Sequence, residues 1–486
     1  MILNHIQHYG KDTILNQIYE QIQEVYLSDN RPWVIGYSGG KDSTLTTMVV
    51  FEAISKLPVD KRHKEIHIVS SDTMVENPLI LNYLNKNIEM MNEYSSKSKL
   101  NIHSKLVRPD TSETFWSLLL GKGYPSPRQK FRWCTHRLKI KPIDEHINEL
   151  SKEQGSVVVI LGVRSAESNS RKNTISEHTI DGKTLKTHAT NKNAFVYAPI
   201  EHLSNDDVWA CLLNTVSPWG FDNNLLLTLY RDASEVSECN IQQDVNAPSC
   251  GQSRFGCWVC TVVSKDKSLS GFIYTGYEEL ESLLEFRNEL VSVRENPEYR
   301  QNYRMNGKIY YVGSEENERR GMGPFSLQGR KKLLRKLLES QVNFNKSLQV
   351  ADKLRFTINQ DIYYDLISIE ELEYIRTQWI EEGDWEDSLP KIYEDVIDKP
   401  FYSGYINQPF ISKNDEEILN QICSDENIDK EIIKSLITLE NKYLGLNTRT
   451  DIFNKIDKIL NQDIVHEEIL ELHRRENNEI KATNNQ

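Results

Sequence analysis

The sequence predicts an α/β protein in which a doubly wound, mostly parallel sheet is followed by a cysteine-bearing insertion and a largely α-helical C-terminal half. Short apolar runs rich in strand formers alternate with helix-periodic stretches as far as about residue 217. Four of the seven cysteines crowd into residues 239–260. From Tyr274 onward the pattern is almost wholly helical, with Glu-rich and Lys-rich faces. We therefore expect domains at 1–217, 218–272 and 273–486.

The elements of the α/β part follow from local patterns of apolar residues. Apolar residues that recur at helical spacing, and short runs of β-branched residues, separate the helices from the strands. A polar stretch without periodicity at 171–193 predicts an exposed loop. The predicted strands are 33–35, 66–69, 101–107, 157–161 and 195–197, and the predicted helices are 13–26, one that begins at 43, 79–94, 111–120 and 208–213.

Length, charge and hydropathy exclude several classes of protein. A chain of 486 residues can bury a large core and form two or three domains. No apolar run is long enough to cross a bilayer, and the first residues lack the pattern of a secretory signal, so we expect a cytoplasmic protein with no membrane partner. The net charge of −13 argues against a general nucleic-acid coat protein but leaves room for a local basic patch.

The motif with the clearest chemistry follows the first predicted strand. Adjacent glycines let the backbone approach a ligand, and the N–H groups that open the next helix favour an anion, so the expected guest is a phosphate. The spacing is neither that of a Walker A loop nor Gly-x-Gly-x-x-Gly. The residues of this phosphate loop are Ser38, Gly39, Gly40, Lys41, Asp42 and Ser43.

This loop resembles the PP-loop of ATP pyrophosphatases, which cut ATP between the α and β phosphates and pass AMP to a substrate. The resemblance implies a fold similar to the adenine nucleotide alpha hydrolases, with ATP as cofactor. Two later segments, Arg132-Trp133-Cys134-Thr135 through Pro142 and Gly162-Val163-Arg164 through Arg171, resemble elements of the adenylylsulfate and phosphoadenylylsulfate reductases. A closing segment, Pro199-Ile200 with Asp207-Val208-Trp209, resembles theirs as well.

Charged residues at strand ends are the candidate ligands of the nucleotide. Arginine offers bidentate donors, so Arg164 and Arg171 are expected to clamp phosphates beside Lys41. Asp42 is the expected ligand of Mg²⁺. Asp72 and Thr73 follow the second predicted strand, where the adenosine would lie. For each charged residue the alternative is a solvated surface group.

The clustered cysteines predict a metal centre. Cys257 and Cys260 are spaced so that both thiolates can face one metal, and Cys239 and Cys250 can supply further ligands. In the adenylylsulfate reductases the cysteine that matches Cys134 helps to ligate a [4Fe–4S] cluster, so the resemblance makes five candidates for four positions. A structural Zn²⁺ site remains an alternative. Cys211 and Cys423 lie in helical contexts and are expected to be buried small hydrophobes.

The whole arrangement resembles the DndC family, the sulfurtransferases of bacterial DNA phosphorothioation. The Glu-Cys-Gly-Leu/Ile-His element with which the reductases attack sulfur is missing after Cys260, which argues against a reductase. The resemblance extends through Ser249–Ser268 and Gly323-Pro324-Phe325-Ser326 to about Ser340. It implies a DNA substrate, a cysteine desulfurase as sulfur donor, and other subunits of the same modification system.

The expected reaction is the adenylation of a DNA phosphate followed by the replacement of a non-bridging oxygen with sulfur. Lys41, Asp42 and Cys134 are the expected catalytic residues. Basic segments at 126–141 and 329–336 are predicted to contact the DNA backbone, with solvated charge as the alternative for the second. Two other functions stay open: a PP-loop tRNA thiolase, and a non-catalytic ATP-binding iron–sulfur scaffold.

Overall fold

The computed structural model describes residues 10–165, 184–187, 192–233, 255–314, 317–350, 363–402, 413–426, 428, 430–443 and 449–462. The chain forms two compact units. The first comprises 1–109, 129–284 and 347–363, and the second comprises 110–128, 285–346 and 364–486. These units differ from the three ranges expected from the sequence, because residues 110–128 group with the C-terminal unit although both flanking segments belong to the first.

The first unit is built around one sheet. Its strands are β1 (Trp33–Gly36), β2 (Ile66–Ser71), β3 (Ile102–Val107), β4 (Val157–Ile160), β5 (Lys186–Thr187) and β6 (Ala194–Tyr197), in the order β3-β2-β1-β4-β6-β5. Its helices are α1 (Lys11–Leu27), α2 (Lys41–Ser55), α3 (Pro78–Lys97), α4 (Lys141–Gln154), α5 (Asn205–Leu213), α6 (Asn223–Asp232) and α7 (Lys267–Tyr274).

The central strands of this sheet run in parallel. Trp33 pairs with Ile66 of β2 on one side and with Val158 of β4 on the other. The chain moves outward from β1 through β2 to β3 and then returns to β4 on the opposite side of β1, which places the crossover helices on both faces. The carboxyl ends of β1, β2 and β4 therefore meet at one edge, at the point where the strand order reverses.

Apolar side chains cover both faces of the sheet. On one face Val34, Val69 and Val159 pack with Ile147 and Leu150 of α4. Burial of apolar surface between a sheet and its helices is the main driving force for this layered arrangement. The sheet is therefore a rigid support for the loops at its carboxyl edge.

Two helices of the first unit begin at side-chain caps that the sequence signals. Asn77 accepts a hydrogen bond from the Leu79 amide, with Pro78 at the first turn of α3. Ser204 and Asp207 form a reciprocal capping box at the start of α5. The helix predicted at 208–213 therefore begins three residues earlier than expected, at Asn205.

The second unit is largely helical. Its regular elements include α8 (Glu281–Glu295), which begins in the first unit, α9 (Leu327–Val350), α10 (Ile369–Glu381), α11 (Ser388–Ile397), α12 (Lys413–Asp425), α13 (Lys430–Tyr443), α14 (Ile452–Leu460) and a short hairpin of β7 (Tyr311–Val312) and β8 (Arg319–Arg320).

The N-terminal contribution to the second unit is a buried helical segment. The helical segment predicted at 111–120 is present, as a 3₁₀ turn at Thr111–Glu113 and a π-helix at Ser117–Gly121. The wider turn of the π-helix leaves backbone carbonyls available to accept hydrogen bonds from side chains of helices that are distant in the sequence. The Trp379 indole donates to the Leu120 carbonyl at 2.7 Å, and Arg330 donates to the Gly121 carbonyl at 2.6 Å.

The predicted fold class, a mostly parallel α/β sheet with a largely helical remainder, is confirmed. The sequence missed the edge strand β5, because its two residues lie in a polar stretch and pair with β6 through their backbones. Cys211 and Cys423 are buried, as expected. Within the described ranges, none of the helices combines the length and the apolar character needed to cross a membrane.

His146 on α4 is a buried histidine with a strongly shifted pKa. Its side chain is 7% exposed, and neither ring nitrogen has a hydrogen-bond partner among the residues that the structure describes. Burial, together with the charges of Lys105 and His67, lowers the pKa of His146 to about 4, against the opposing effect of Glu149 and Glu65. The neutral imidazole is therefore the form that the fold accommodates.

We predict that stability falls as the pH falls from about 6.5 to about 4. The folded pKa lies below the unfolded value, so the unfolded chain binds the proton first and its population grows. Replacing His146 by Leu should remove part of this loss, on the order of 1–3 kcal/mol. Urea unfolding at several pH values measures the free energy of unfolding, and His136→Leu, a change at an exposed histidine, is the control. Parallel pH profiles for wild type and His146→Leu would contradict the prediction.

Candidate active site

The phosphate loop lies between the carboxyl end of β1 and the first turn of α2, as the sequence predicts. Ser43 Oγ donates to the Gly40 carbonyl at 3.0 Å and accepts from the Ser38 amide at 3.2 Å. The two hydroxyl oxygens of Ser38 and Ser43 are 3.1 Å apart. These bonds hold the loop in a closed turn whose hydroxyls and amides converge at the start of the helix.

Glycine is required at two positions around this loop. Gly39 has a φ of +71°, and a Cβ there would lie 2.7 Å from Leu84 and 2.9 Å from Tyr83. Gly162, which follows β4, approaches the loop so closely that a Cβ would lie 2.8 Å from the carbonyl of Asp42. The neighbouring strand thus packs directly against the backbone of the first helical turn.

Asp42 is held between two cations. Its carboxylate accepts from Arg164 Nε at 2.6 Å and from Lys41 Nζ at 3.2 Å. Arg164 is 3% exposed, so its charge is compensated mainly by this carboxylate. The structure therefore brings together three residues that the sequence singles out, in an arrangement in which both cations bind a carboxylate.

The phosphate loop forms one wall of a cavity of about 450 Å³ in the first unit. Ser71 contributes from the last position of β2, Glu76 from the chain after it, Lys139 from the basic segment, and Tyr230 and Phe255 from the chain after α5. A volume of this size suits a nucleotide. The sequence did not single out Glu76, Tyr230 or Phe255, because only the fold brings them to the loop.

Tyr230 on α6 contacts the phosphate loop directly. Its hydroxyl oxygen accepts a hydrogen bond from the Lys41 amide at 3.2 Å. The phenol ring lies edge-on to Trp209, with centroids 5.2 Å apart, and 4.6 Å from the ring of Phe255. Burial raises the pKa of Tyr230 to about 12, so the phenol is neutral at physiological pH.

The Cys-x-x-Cys segment is joined to the chain that follows β2. Cys257 forms an antiparallel bridge with Glu76, and the Trp258 amide donates to the Val75 carbonyl at 3.1 Å. The Cys257 sulfur lies 3.3 Å from the Thr73 hydroxyl. The cysteine motif is thereby fixed at the same edge of the sheet as the phosphate loop.

A buried carboxylate links this segment to the cavity. Glu76 Oε1 accepts from the Thr73 hydroxyl at 3.1 Å and from Lys139 Nζ at 3.0 Å. Burial, together with the charge of Glu76, raises the pKa of Cys257 to about 12, although Lys139 opposes the shift. Burial disfavours the charged form of Lys139, but the charges of Cys257 and Glu76 outweigh it and raise its pKa. Lys139 is therefore a cation that is ion-paired with Glu76.

Cys134 belongs to the same group of thiols. Burial and the nearby Cys260 raise the pKa of Cys134, and charge on Cys134 contributes to the raised pKa of Lys139. None of the five described cysteines forms a disulfide. Among the described residues no group of three or more His, Cys, Asp or Glu side chains has the geometry to hold a metal ion. The structure thus gathers three thiols of the soft donor type without a preassembled metal site.

Asp72 and Thr73 are buried at the end of β2 rather than exposed to the cavity. Asp72 accepts from Arg108 Nε at 2.9 Å and from the Met74 amide at 2.8 Å, while Thr73 bonds to Glu76 and Cys257. Their sequence neighbours Ser71 and Glu76 line the cavity instead. Arg171, Cys239 and Cys250 lie outside the described residues.

The two basic segments differ in how their charges are used. In the second segment every cation pairs with a carboxylate of the second unit, which favours the alternative of solvated surface charge, and contact with DNA there stays a prediction. These pairs are Arg330–Glu382, Lys331–Asp384, Lys332–Glu289, Arg335–Asp395 and Lys336–Glu339.

In the first basic segment some cations also have partners. Arg128 pairs with Glu295 in the second unit, and Lys139 pairs with Glu76 in the first. Lys130, Arg132 and the intervening Phe131 are exposed on the first unit, Phe131 at 46%. This short stretch, 130–132, is one part of the basic segment that is accessible to a polyanion.

Comparison with known proteins finds a family whose model matches the α/β part of the chain. Residues 32–262 match the model of the phosphoadenosine phosphosulfate reductase domain. An uncharacterised protein of Methanocaldococcus jannaschii is 28% identical over 207 residues, which are 41% of this chain and 36% of that protein. The chain thus spans about a third of the length of the curated relative that it matches.

Three solved structures are similar at low scores. The phosphoadenylyl-sulfate reductase of Candida auris, a phosphate complex, is 13% identical and covers 44% of this chain and 90% of its own, with a TM-score of 0.26. The U34-tRNA thiolase of Methanococcus maripaludis with its [4Fe–4S] cluster is 14% identical and covers 60% and 85%, with a TM-score of 0.28. The FMN adenylyltransferase of Candida glabrata, bound to FAD and pyrophosphate, is 12% identical and covers 48% and 68%, with a TM-score of 0.27.

These TM-scores are too low to support a shared architecture by themselves. The match of residues 32–262 includes the phosphate loop, Cys134, Cys257 and Cys260. The α/β part of the chain is therefore similar to the phosphoadenosine phosphosulfate reductase domain, while its assignment to the DndC family stays a prediction.

Proposed function

We propose that this protein is an ATP-dependent sulfurtransferase that replaces a non-bridging oxygen of a DNA phosphate with sulfur, as in the DndC family. The observation that carries the proposal is the shared cavity edge. Glu76 and Lys139, which form an ion pair, line the cavity of the phosphate loop, and Glu76 also contacts Cys257, so the nucleotide site and the thiol lie side by side.

The first proposed step is activation of the DNA phosphate. A non-bridging oxygen attacks the α-phosphorus of ATP, and the bond to the β-phosphate breaks to release pyrophosphate. The amides of the phosphate loop and Lys41 hold the departing phosphates. Asp42 would bind Mg²⁺, which neutralises phosphate charge, and Lys41 and Arg164 are then available to the nucleotide.

The second proposed step is sulfur transfer. A cysteine persulfide, supplied by a cysteine desulfurase, attacks the activated phosphorus through its terminal sulfur and displaces AMP. An external thiol then cleaves the S–S bond, which leaves the phosphorothioate on the DNA and the sulfur reduced. Lys139 lies beside Cys257 and Cys134 and would stabilise negative charge on the transferring sulfur.

Cysteine donors also fit an iron–sulfur cluster, which supplies redox-active iron when bound. Cys257 and Cys260 would be ligands, two of Cys134, Cys239 and Cys250 would complete the set, and the remaining cysteine would carry the sulfur. Other subunits of the modification system are proposed as partners on the basis of the DndC resemblance.

We predict that Lys41→Ala and Asp42→Asn lower DNA-dependent pyrophosphate release from ATP about 100-fold or more, because each change removes a fixed charge from the phosphate site. Asn keeps a hydrogen-bond acceptor for Arg164. Lys86→Ala, an exposed lysine on α3, is the matched control. Wild-type protein that binds ATP without releasing pyrophosphate would instead be a scaffold.

A further prediction of the proposed function concerns the cysteines. Protein purified without oxygen should contain about four iron and four acid-labile sulfide per chain. Alanine at four of the five candidates should remove both, and alanine at the fifth should keep the cluster but abolish sulfur transfer. Elemental analysis and visible absorption are the measurements, with Cys211→Ala as the control. The finding of zinc and no iron would exclude the cluster. The candidates are Cys134, Cys239, Cys250, Cys257 and Cys260.

Another prediction of the proposed function concerns DNA binding at 130–132. Lys130→Ala and Arg132→Ala should each weaken binding and reduce the slope of log K against log salt by about 1, since each cation displaces one counterion from the backbone. Fluorescence anisotropy with a labelled duplex measures both effects. Lys336→Ala, a cation paired with Glu339, should change neither. Binding that is independent of salt, or preference for tRNA, would argue against the DNA assignment.

A further inference from the structure

We propose that Tyr230 sets the nucleotide affinity of the phosphate loop by competing with a phosphate oxygen for the Lys41 amide. This inference rests on the proposed function, because it requires that the loop bind ATP. It adds a residue outside the loop that determines affinity.

The geometry places the Tyr230 hydroxyl where a ligand atom is expected. The Lys41 amide belongs to the first residue of α2, and such amides have no partner within the helix. In this structure the amide donates to the Tyr230 hydroxyl at 3.2 Å. A Cβ on Gly40 would lie 3.3 Å from the same oxygen, so the hydroxyl sits directly against the backbone of the loop.

A phosphate oxygen is the stronger acceptor for this amide. Hydrogen bonds to an ionised acceptor are roughly twice as strong as those between neutral groups, and the helix dipole adds attraction for an anion. The phenol is neutral, because burial raises the pKa of Tyr230 to about 12. Nucleotide binding therefore exchanges a weak acceptor for a strong one and releases the hydroxyl from the loop.

The ring of Tyr230 connects this exchange to the cysteine segment. It packs 4.6 Å from Phe255, which lies two residues before Cys257. It also meets Trp209 edge-on at 5.2 Å, and Lys41 Nζ lies 5.7 Å from its centroid. Displacement of Tyr230 changes the surface against which Phe255 rests, so occupancy of the loop is transmitted toward the thiols.

The test is the affinity of Tyr230→Phe for ATP and for inorganic pyrophosphate, measured by titration calorimetry. Phe keeps the ring contacts and removes only the competing oxygen, so we expect both ligands to bind about 2- to 12-fold more tightly than to wild type. Tyr94→Phe on α3, whose ring packs on Phe51 away from the loop, is the matched control and should bind as wild type does.

A second measurement follows the tryptophan fluorescence of the wild-type protein. Pyrophosphate should change the part of the tryptophan emission that is lost in Trp209→Phe, because Trp209 lies against the displaced ring. Unchanged or weaker binding by Tyr230→Phe, or binding to wild type without this emission change, would overturn the inference. If wild type binds ATP but releases no pyrophosphate, the proposed function fails while the inference stands. If wild type binds neither ligand, both fail.

Discussion

The backbone pairing between the cysteine segment and the chain after β2 is the contact on which the site depends. The bridge of Cys257 with Glu76 and the bond from the Trp258 amide to Val75 fix the thiols against the carboxyl edge of the sheet. Because β2 lies beside β1, which leads into the phosphate loop, this pairing also sets the distance between nucleotide and sulfur chemistry. A side-chain contact alone would leave the segment free to slide; backbone pairing fixes its register.

Charge compensation decides which cations near this edge are available to a ligand. The chain is acidic overall, and most of the basic residues that the sequence draws attention to are paired with carboxylates. Lys41 and Arg164 share Asp42, so an incoming polyphosphate with its metal ion replaces one set of ion pairs with another rather than meeting bare charges. Before the nucleotide arrives, the Asp42 carboxylate lowers the free-energy cost of holding the charges of Lys41 and Arg164. In the same way, the Tyr230 hydroxyl accepts the hydrogen bond of the Lys41 amide until, in our proposal, a bound anion replaces it as the acceptor.

Much of the fold and part of the site were predictable. Strand residues such as Val157 and Ile66 are apolar and β-branched, so local composition identifies them. Ser38 to Ser43 act through their own backbone, and a motif of that kind is visible in the sequence. The segment at 111–120 was predictable as helical but not as a 3₁₀ turn and a π-helix, because its carbonyl partners Trp379 and Arg330 lie far along the chain. Contacts at such sequence separations leave no local periodicity.

The sequence by itself determined the parallel sheet, the phosphate loop and the identity of the thiols, because each depends on residues that are neighbours in the chain. Only the tertiary structure decided that Glu76 and Lys139 join the cavity to Cys257, that Tyr230 lies against Lys41, and that the cations of 329–336 are bound in ion pairs. These pairings join side chains from separate elements, and they arise from how strands and helices pack, which no short stretch of sequence encodes.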